Sequence, residues 1–335
     1  KMVATHDLPA PAIKDPSKYF QIDLFTGTGS ELVRTLTDAS GAAVSPDMVW
    51  IKDRDTSVEY VLTDSLRGAT KEINTNTGAT VETTVAQGLK SFDASGYTLG
   101  TDGNYNTSSS LNVGWCWVEG TIPDFDMVLY TGNVTNRTIS HNLGVIPEFM
   151  VVKCRDETHG TVVYHKDIAI PNTLLMNNNS AIVSNAAYFN STAPTSSVFS
   201  IGTDGDTNAN TKLMINYLFA GIEGFSKFGI YEGNANADGA FVWTGFRPAF
   251  ILAKNMDAAG DWNIYDNERA GYNVANYILA ANEPQAETTG ATLDFLANGF
   301  KLRTSSTPNQ ANTFVYAAWA EFPFGGEDVA QARAR

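Results

Sequence analysis

The sequence predicts an all-β chain built from three tandem β-sandwich-like (jelly-roll-like) modules behind an extended N-terminal arm. Pro46, Pro147 and Pro248 each lie 101 residues apart, and each opens an apolar run that ends at a lysine: Lys52, Lys153 and Lys254. Short runs of Val, Ile, Phe, Tyr and Trp alternate with clusters of Asn, Asp, Gly, Ser and Thr, as strands and tight turns do. Helical periodicity is weak throughout; the best helix candidate is the short stretch at Asp64–Gly68. Several short strands with frequent turn signals fit a sandwich or barrel.

The elements follow in order. Residues 1–19 lie outside the repeat, and Pro9, Pro11 and Pro16 suit an extended arm, because proline fixes φ and disfavours helix at the residue before it. The first module spans 20–121, the second 122–224 and the third 225–325, with a flexible tail at 326–335. Each module opens on a strand broken by glycine, at Gly27, Gly132 and Gly233. The register continues through Tyr60–Asp64, Thr161–His165 and Trp262–Asp266. It returns with a one-residue slip at Gly96–Thr101, Val198–Thr203 and Gly299–Thr304, and closes at Trp115–Trp117, Tyr217–Phe219 and Ala317–Trp319. The joins between modules are tight, which favours modules packed on one another over beads on a string.

Composition narrows the function. Apolar residues make up 43% of the 335, aromatics 11% and charged residues 17%, which excludes a disordered polyelectrolyte. A net charge of −14 and a pI near 4.6 describe an acidic surface that repels a phosphate backbone, so nucleic acid is not an expected partner. No run has the length of a membrane span, and the N-terminal residues lack the apolar core of a signal peptide. Cys116 and Cys154 sit in apolar runs and read as buried small residues or incidental thiols, not as a disulfide framework.

The residues that carry chemistry are few. Asp102 and Asp204 open Asp-Gly turns with oxygen side chains at alternate positions, like the start of a calcium loop. The glycine and the bidentate glutamate of such a loop are missing, and Asp-Gly between apolar runs is a hairpin signal in its own right. His6, His141, His159 and His165 show no zinc spacing, and no nucleophile elbow, phosphate loop or dinucleotide fingerprint occurs. No catalytic, cofactor or metal residue is therefore expected. A glycosidase-type carboxylate pair leaves no spacing signature and stays open. Trp50, Trp115, Trp117 and Trp319 read as core. Trp243, Trp262, Tyr105, Tyr188 and Tyr272 lie nearer turns, where exposed rings stack on sugars or fill an interface and buried ones pack under loops. The modules agree least in residue type at 75–87, 177–188 and 283–292, read as displayed loops where binding residues sit or where nothing constrains the sequence.

Several long strings, among them Leu62–Lys71, Asn190–Gly202, Asn298–Arg303 and Ala318–Phe324, resemble a family of tail-fibre-like virion proteins of marine bacteriophages, and the resemblance runs from about residue 19 to 325. It implies a non-enzymatic structural component of the virion, of tail-fibre or receptor-binding type, made in the host bacterial cytoplasm. The proline- and alanine-rich arm, which cannot build a core, is read as the attachment to other virion proteins, with a disordered terminus as the alternative, and a homo-oligomer is expected, with a trimer among the options. The family supplies no catalytic residues. This chain lacks a long shaft and heptads, which leaves a capsid decoration or head-fibre protein as one alternative. A carbohydrate-binding module or a polysaccharide depolymerase is another, with a host surface glycan or receptor as partner.

Overall fold

The computed structural model describes residues 8–78, 81–326 and 329, and it is built almost entirely of antiparallel strands. One strand order recurs three times. In the first module Phe20–Thr26 pairs with Leu111–Trp117, which pairs with Met48–Asp53, then Val61–Asp64, then Lys71–Asn74. The second module repeats this with Phe125–Thr131, Leu213–Phe219, Phe149–Cys154, Thr161–His165 and Asn172–Leu175. The third does so with Ser226–Glu232, Thr313–Pro323, Phe246–Asn255, Asn263–Asp266 and Ala275–Ala280. A smaller sheet backs each long one: Leu32–Thr35, Gly96–Leu99 and Leu89–Asp93 in the first module, and Arg137–Ser140 with Val198–Ile201 in the second. In the third, Phe241–Trp243, Gly299–Leu302 and Thr288–Leu296 continue the long sheet through Ala275–Ala280, giving eight strands that nearly close on themselves.

The apolar runs are unbroken because both faces of each long sheet are buried. Side chains alternate across a strand. Val49 and Ile51 therefore face the small sheet of their own module, whereas Met48 and Trp50 face the other two modules. Met150 and Val152 against Phe149 and Val151, and Ile251 and Ala253 against Phe250 and Leu252, divide in the same way. Three private cores thus surround one shared core. At the centre of that core the equivalent positions Trp117, Phe219 and Trp319 form a triangle of ring contacts, with centroids 5.3 to 6.4 Å apart.

The modules close into a ring, each contacting the next head to tail. The Glu82 N–H donates to the Arg155 carbonyl at 2.7 Å, Ile182 to Met256 at 3.0 Å and Glu287 to Arg54 at 2.8 Å, so the first module meets the second, the second the third, and the third the first. Two of these junctions are ionic. Glu82 pairs with Arg67 of its own module and Arg155 of the next, and Glu287 pairs with Arg269 and Arg54 in the same manner. The third is apolar, with Ile168, Ile182 and Met256 in or against the shared core.

Local features follow from this plan. A Cβ at Gly27, Gly132 or Gly233 would overlap the carbonyl oxygen of Thr107, Ala209 or Gln310, so the strand that opens each module is broken by glycine because a loop backbone crosses there. Beside each crossing, Asn106, Asn208 or Asn309 is buried and hydrogen-bonded to both chains. The helix expected at Asp64–Gly68 is instead a turn: Asp64 accepts from the Arg67 N–H at 2.7 Å and pairs with its guanidinium at 2.5 Å, a local bond that competes with helix. The only α-helices among the described residues are single turns at Gly103–Asn106, Ala186–Phe189 and Gly205–Asn208.

The expected N-terminal arm is part of the body over its described length. Ile13 is buried in the shared core, Asp15 caps the short 3-10 helix Pro16–Lys18, and Pro11 lies against both Gly224 and Gly326. Residues 1–7, and all of the expected tail except Gly326 and Val329, lie outside the described residues. Among the described residues no helix is long and apolar enough to cross a membrane.

Candidate functional site

One departure of the third module from its sisters is the seam where its eight-stranded sheet fails to close. The edge strands Ser226–Glu232 and Phe241–Trp243 face each other across a groove of about 460 Å³, joined by the Lys227 Nζ, which donates to the Trp243 carbonyl at 3.0 Å. The groove opens into a cleft of about 910 Å³ between the second and third modules, within the size range of small-ligand sites. Glu148, Lys166, Ser226 and Lys227 line it on one side, Trp243 and Phe324 on another, and residues 8–12 form part of its wall.

The alternation of a strand sets the cleft's chemistry. Val242 points inward and is buried, so Phe241 and Trp243 point outward together, 47% and 48% exposed. Phe324 braces the indole at 5.6 Å and 82°. Lys166 pairs with Glu148 at 3.0 Å, while burial, with the nearby Lys166 charge behind it, lowers the Lys227 pKa. The cleft lining carries two lysines against Glu148 and Glu223, and Asp167 and Glu232 add negative charge along the groove. The corresponding small-sheet strands of the sister modules, Leu32–Thr35 and Arg137–Ser140, carry no aromatic residue.

A family model described as Domain of unknown function (DUF7483) matches residues 15–323. The chain belongs to that family. No curated protein matches it. The matched span begins at the residue that caps the 3-10 helix Pro16–Lys18 and ends with the last residue of the final strand, so the family's unit is the whole ring and not one module, while residues 8–12, Phe324 and Gly325 of the cleft wall lie outside the span.

The residues singled out in the sequence are distributed as follows. Asp102 and Asp204 cap the one-turn helices, accepting from the N–H groups of Asn104 and Asp206 at 2.9 Å, and among the described residues no group of three or more His, Cys, Asp or Glu is placed to hold a metal. His141 accepts from the Leu143 N–H and bonds the Thr195 carbonyl, and His159 lies 3.1 Å from Asp206. His165 is buried and its pKa is pushed down to about 4 by that burial. Its Nδ1 accepts from the Asp167 N–H, so the neutral ring donates from Nε2 to the Tyr316 carbonyl. His6 lies outside the described residues. Cys116 and Cys154 are buried free thiols.

Among the aromatics, Trp50, Trp115, Trp117 and Trp319 are core. Trp262, Tyr105 and Tyr188 are buried too, with Trp262 donating to the Leu175 carbonyl of the second module at 2.9 Å. Only Trp243 and Tyr272 of the turn-proximal set are exposed, and Tyr272 stands away from the cleft lining. The segments 75–87, 177–188 and 283–292 are not simply displayed. They carry Glu82, Ile182 and Glu287, the residues that fasten each module to the next. The residues missed from sequence are Lys166, Glu148 and Phe241. The available signal was Phe241-Val-Trp243, an aromatic pair two apart in a strand whose counterparts Leu32–Thr35 and Arg137–Ser140 carry no aromatic. A second void of about 60 Å³, lined by Trp50, Met176 and Leu252 among others, lies in the shared core and is too small for a ligand of sugar size.

Proposed function

We propose that the chain is a non-enzymatic structural component of a bacteriophage particle, of tail-fibre or receptor-binding type. The reading is carried by the use made of the repeated polar residues. Lys153 and Lys254 bond carbonyls of the preceding module, the Asp64 carboxylate accepts from Tyr217 at 2.7 Å and the Asp266 carboxylate from Trp115 at 3.1 Å, all of them buried. Such groups hold a rigid body together and are closed to a substrate. The phage context comes from the resemblance at residues 19–325, with the particle as location and other virion proteins as partners. Mass spectrometry and labelled microscopy of purified virions test it: the chain is expected in intact particles, and its absence from them rejects the reading.

The cleft favours a second component of the same role, binding of a host-surface glycan, over pure capsid decoration. An exposed aromatic pair beside mixed donors and acceptors is what a saccharide site needs and what a cover protein does not. Virions carrying an altered cleft are expected to adsorb poorly to host cells, and normal adsorption favours decoration.

A further inference from the structure

We infer that the seam of the third module binds an uncharged saccharide chain, laid across Phe241 and Trp243 with its hydroxyls directed to Lys166, Glu148 and Lys227. The inference rests on the receptor-binding reading for its biological setting and on the cleft alone for its chemistry.

Three observations select the ligand class. First, Phe241 and Trp243 share the outer face of one strand two residues apart, which places their Cα atoms about 7 Å from each other. That spacing gives two apolar platforms in a row, suited to the C–H faces of successive pyranose rings. Both rings are half-exposed; among the described residues Tyr272 and Tyr277 are the other exposed aromatics, and neither lines the groove or the cleft.

Second, the charge around the platform opposes an anion. Lys166 is already paired with Glu148, Lys227 is tied to the Trp243 carbonyl, and Glu223, Asp167 and Glu232 leave the surroundings net negative. A uronate or sulfate would meet that field unpaired, in a chain whose net charge is −14. Hydroxyl groups, which both donate and accept, can use an ammonium and a carboxylate side by side.

Third, the platform is fixed before any ligand arrives. Phe324 braces the indole, Lys227 holds its backbone, and the Thr244 and Gly245 N–H groups both donate to the Asn298 carbonyl. Little ordering is left for binding to impose.

The test uses the whole chain with neutral gluco-, galacto- and manno-configured hexasaccharides, and with a polyuronate hexasaccharide as the charged arm. Binding is followed by tryptophan fluorescence and calorimetry. At least one neutral hexasaccharide is expected to saturate. Trp243→Ala should weaken it about tenfold, the loss of one stacking contact, and Phe241→Ala should weaken it in the same direction. Tyr272→Ala should leave affinity unchanged, and all three variants should melt close to the parent. Failure of every neutral hexasaccharide to bind overturns the inference. So does tighter binding of the polyuronate, or binding indifferent to Trp243 and Phe241. Because the measurement needs no virion, a negative result here leaves the particle reading standing, and a chain absent from virions leaves the saccharide result standing.

Discussion

Asp64, His165 and Asp266 occupy one register position, and their differences follow from what the neighbouring module presents. Tyr217 and Trp115 offer donors to the two aspartates, whereas the third module has Ala317 at the corresponding position and presents a backbone carbonyl, which a histidine can serve by donating. The change propagates: where histidine replaces aspartate, Arg becomes Ile168, Glu becomes Ile182 and the facing Arg becomes Met256. Buried ion pairs and apolar packing are alternative ways to fill such a site, and removing one member of a buried pair is the costly step. Glu82→Ala, which strips a partner from buried Arg67, is therefore expected to cost about 3 kcal/mol in chemical denaturation. His165 gives this position a pH signature. Its pKa falls from the ordinary 6.5 to about 4 on folding. Below about pH 6.5 the unfolded chain takes up a proton that the folded protein refuses until about pH 4, so stability drops through that window and is whole above it. His165→Asn should flatten the stability profile between pH 4 and 6.5, measured by melting across that range.

At the scale of strands, the lysines that close each apolar run end buried under carbonyls and carry no ion pair among the described residues. Burial lowers all three, Lys52, Lys153 and Lys254, to about 8. Below pH 8 they are charged in both states and the full burial cost is felt. Above it the folded protein gives up protons that the unfolded chain holds to about 10.4, so these groups make stability rise from pH 8 toward 10. Lys153→Met should remove part of that rise, read as the difference in melting temperature between pH 7.5 and 9.5. The glycine crossings give a steric counterpart: Gly132→Ala must push the Ala209 carbonyl aside and should cost about 1–3 kcal/mol. Strands were legible in the sequence because pattern and register are local. The doubly buried long sheets were legible too, as runs such as Met48–Ile51 with no polar interruption. The clasps were not. Glu82 and Arg155 lie 73 residues apart and Arg54 and Glu287 lie 233 apart, in segments whose lengths differ among the modules, so the register that exposes the repeat fails where it would reveal the contacts. The cleft was half legible: Trp243 stood out, but Lys166 and Glu148 belong to another module and join it only through the ring.

For the molecule as a whole, the shared core decides how it unfolds. Trp117, Phe219 and Trp319 each belong to a different module and touch the other two, so no module can leave without exposing large aromatic surface. A single cooperative calorimetric transition is expected in place of three. An excised second module, residues 122–224, should fail to fold alone by circular dichroism, because the inward face of its long sheet would meet water. Trp319→Ala should cost about 3–5 kcal/mol, felt in every module at once. The terminal segment obeys the same logic: deletion of residues 1–18 removes Ile13 and the cap at Asp15 and should lower the melting temperature. An unchanged value would place the arm outside the cooperative unit.

The contact between Pro11 and Gly326 has a topological consequence. A ring whose first and last modules meet as closely as its covalent neighbours, and in which Pro11 and Gly326 are in contact, has no privileged opening. Joining residue 326 to residue 11 by a short linker and cutting at the Gly120–Thr121 turn should give a circular permutant that starts with the second module and refolds, read by its melting transition; the new ends stand away from the cleft, while the joint replaces residues 8–10 of its wall. Two separately produced pieces divided at the same turn should likewise find each other and restore the melting transition. If the permutant instead folds only in part, the order of synthesis, and not the set of contacts, directs how the ring closes.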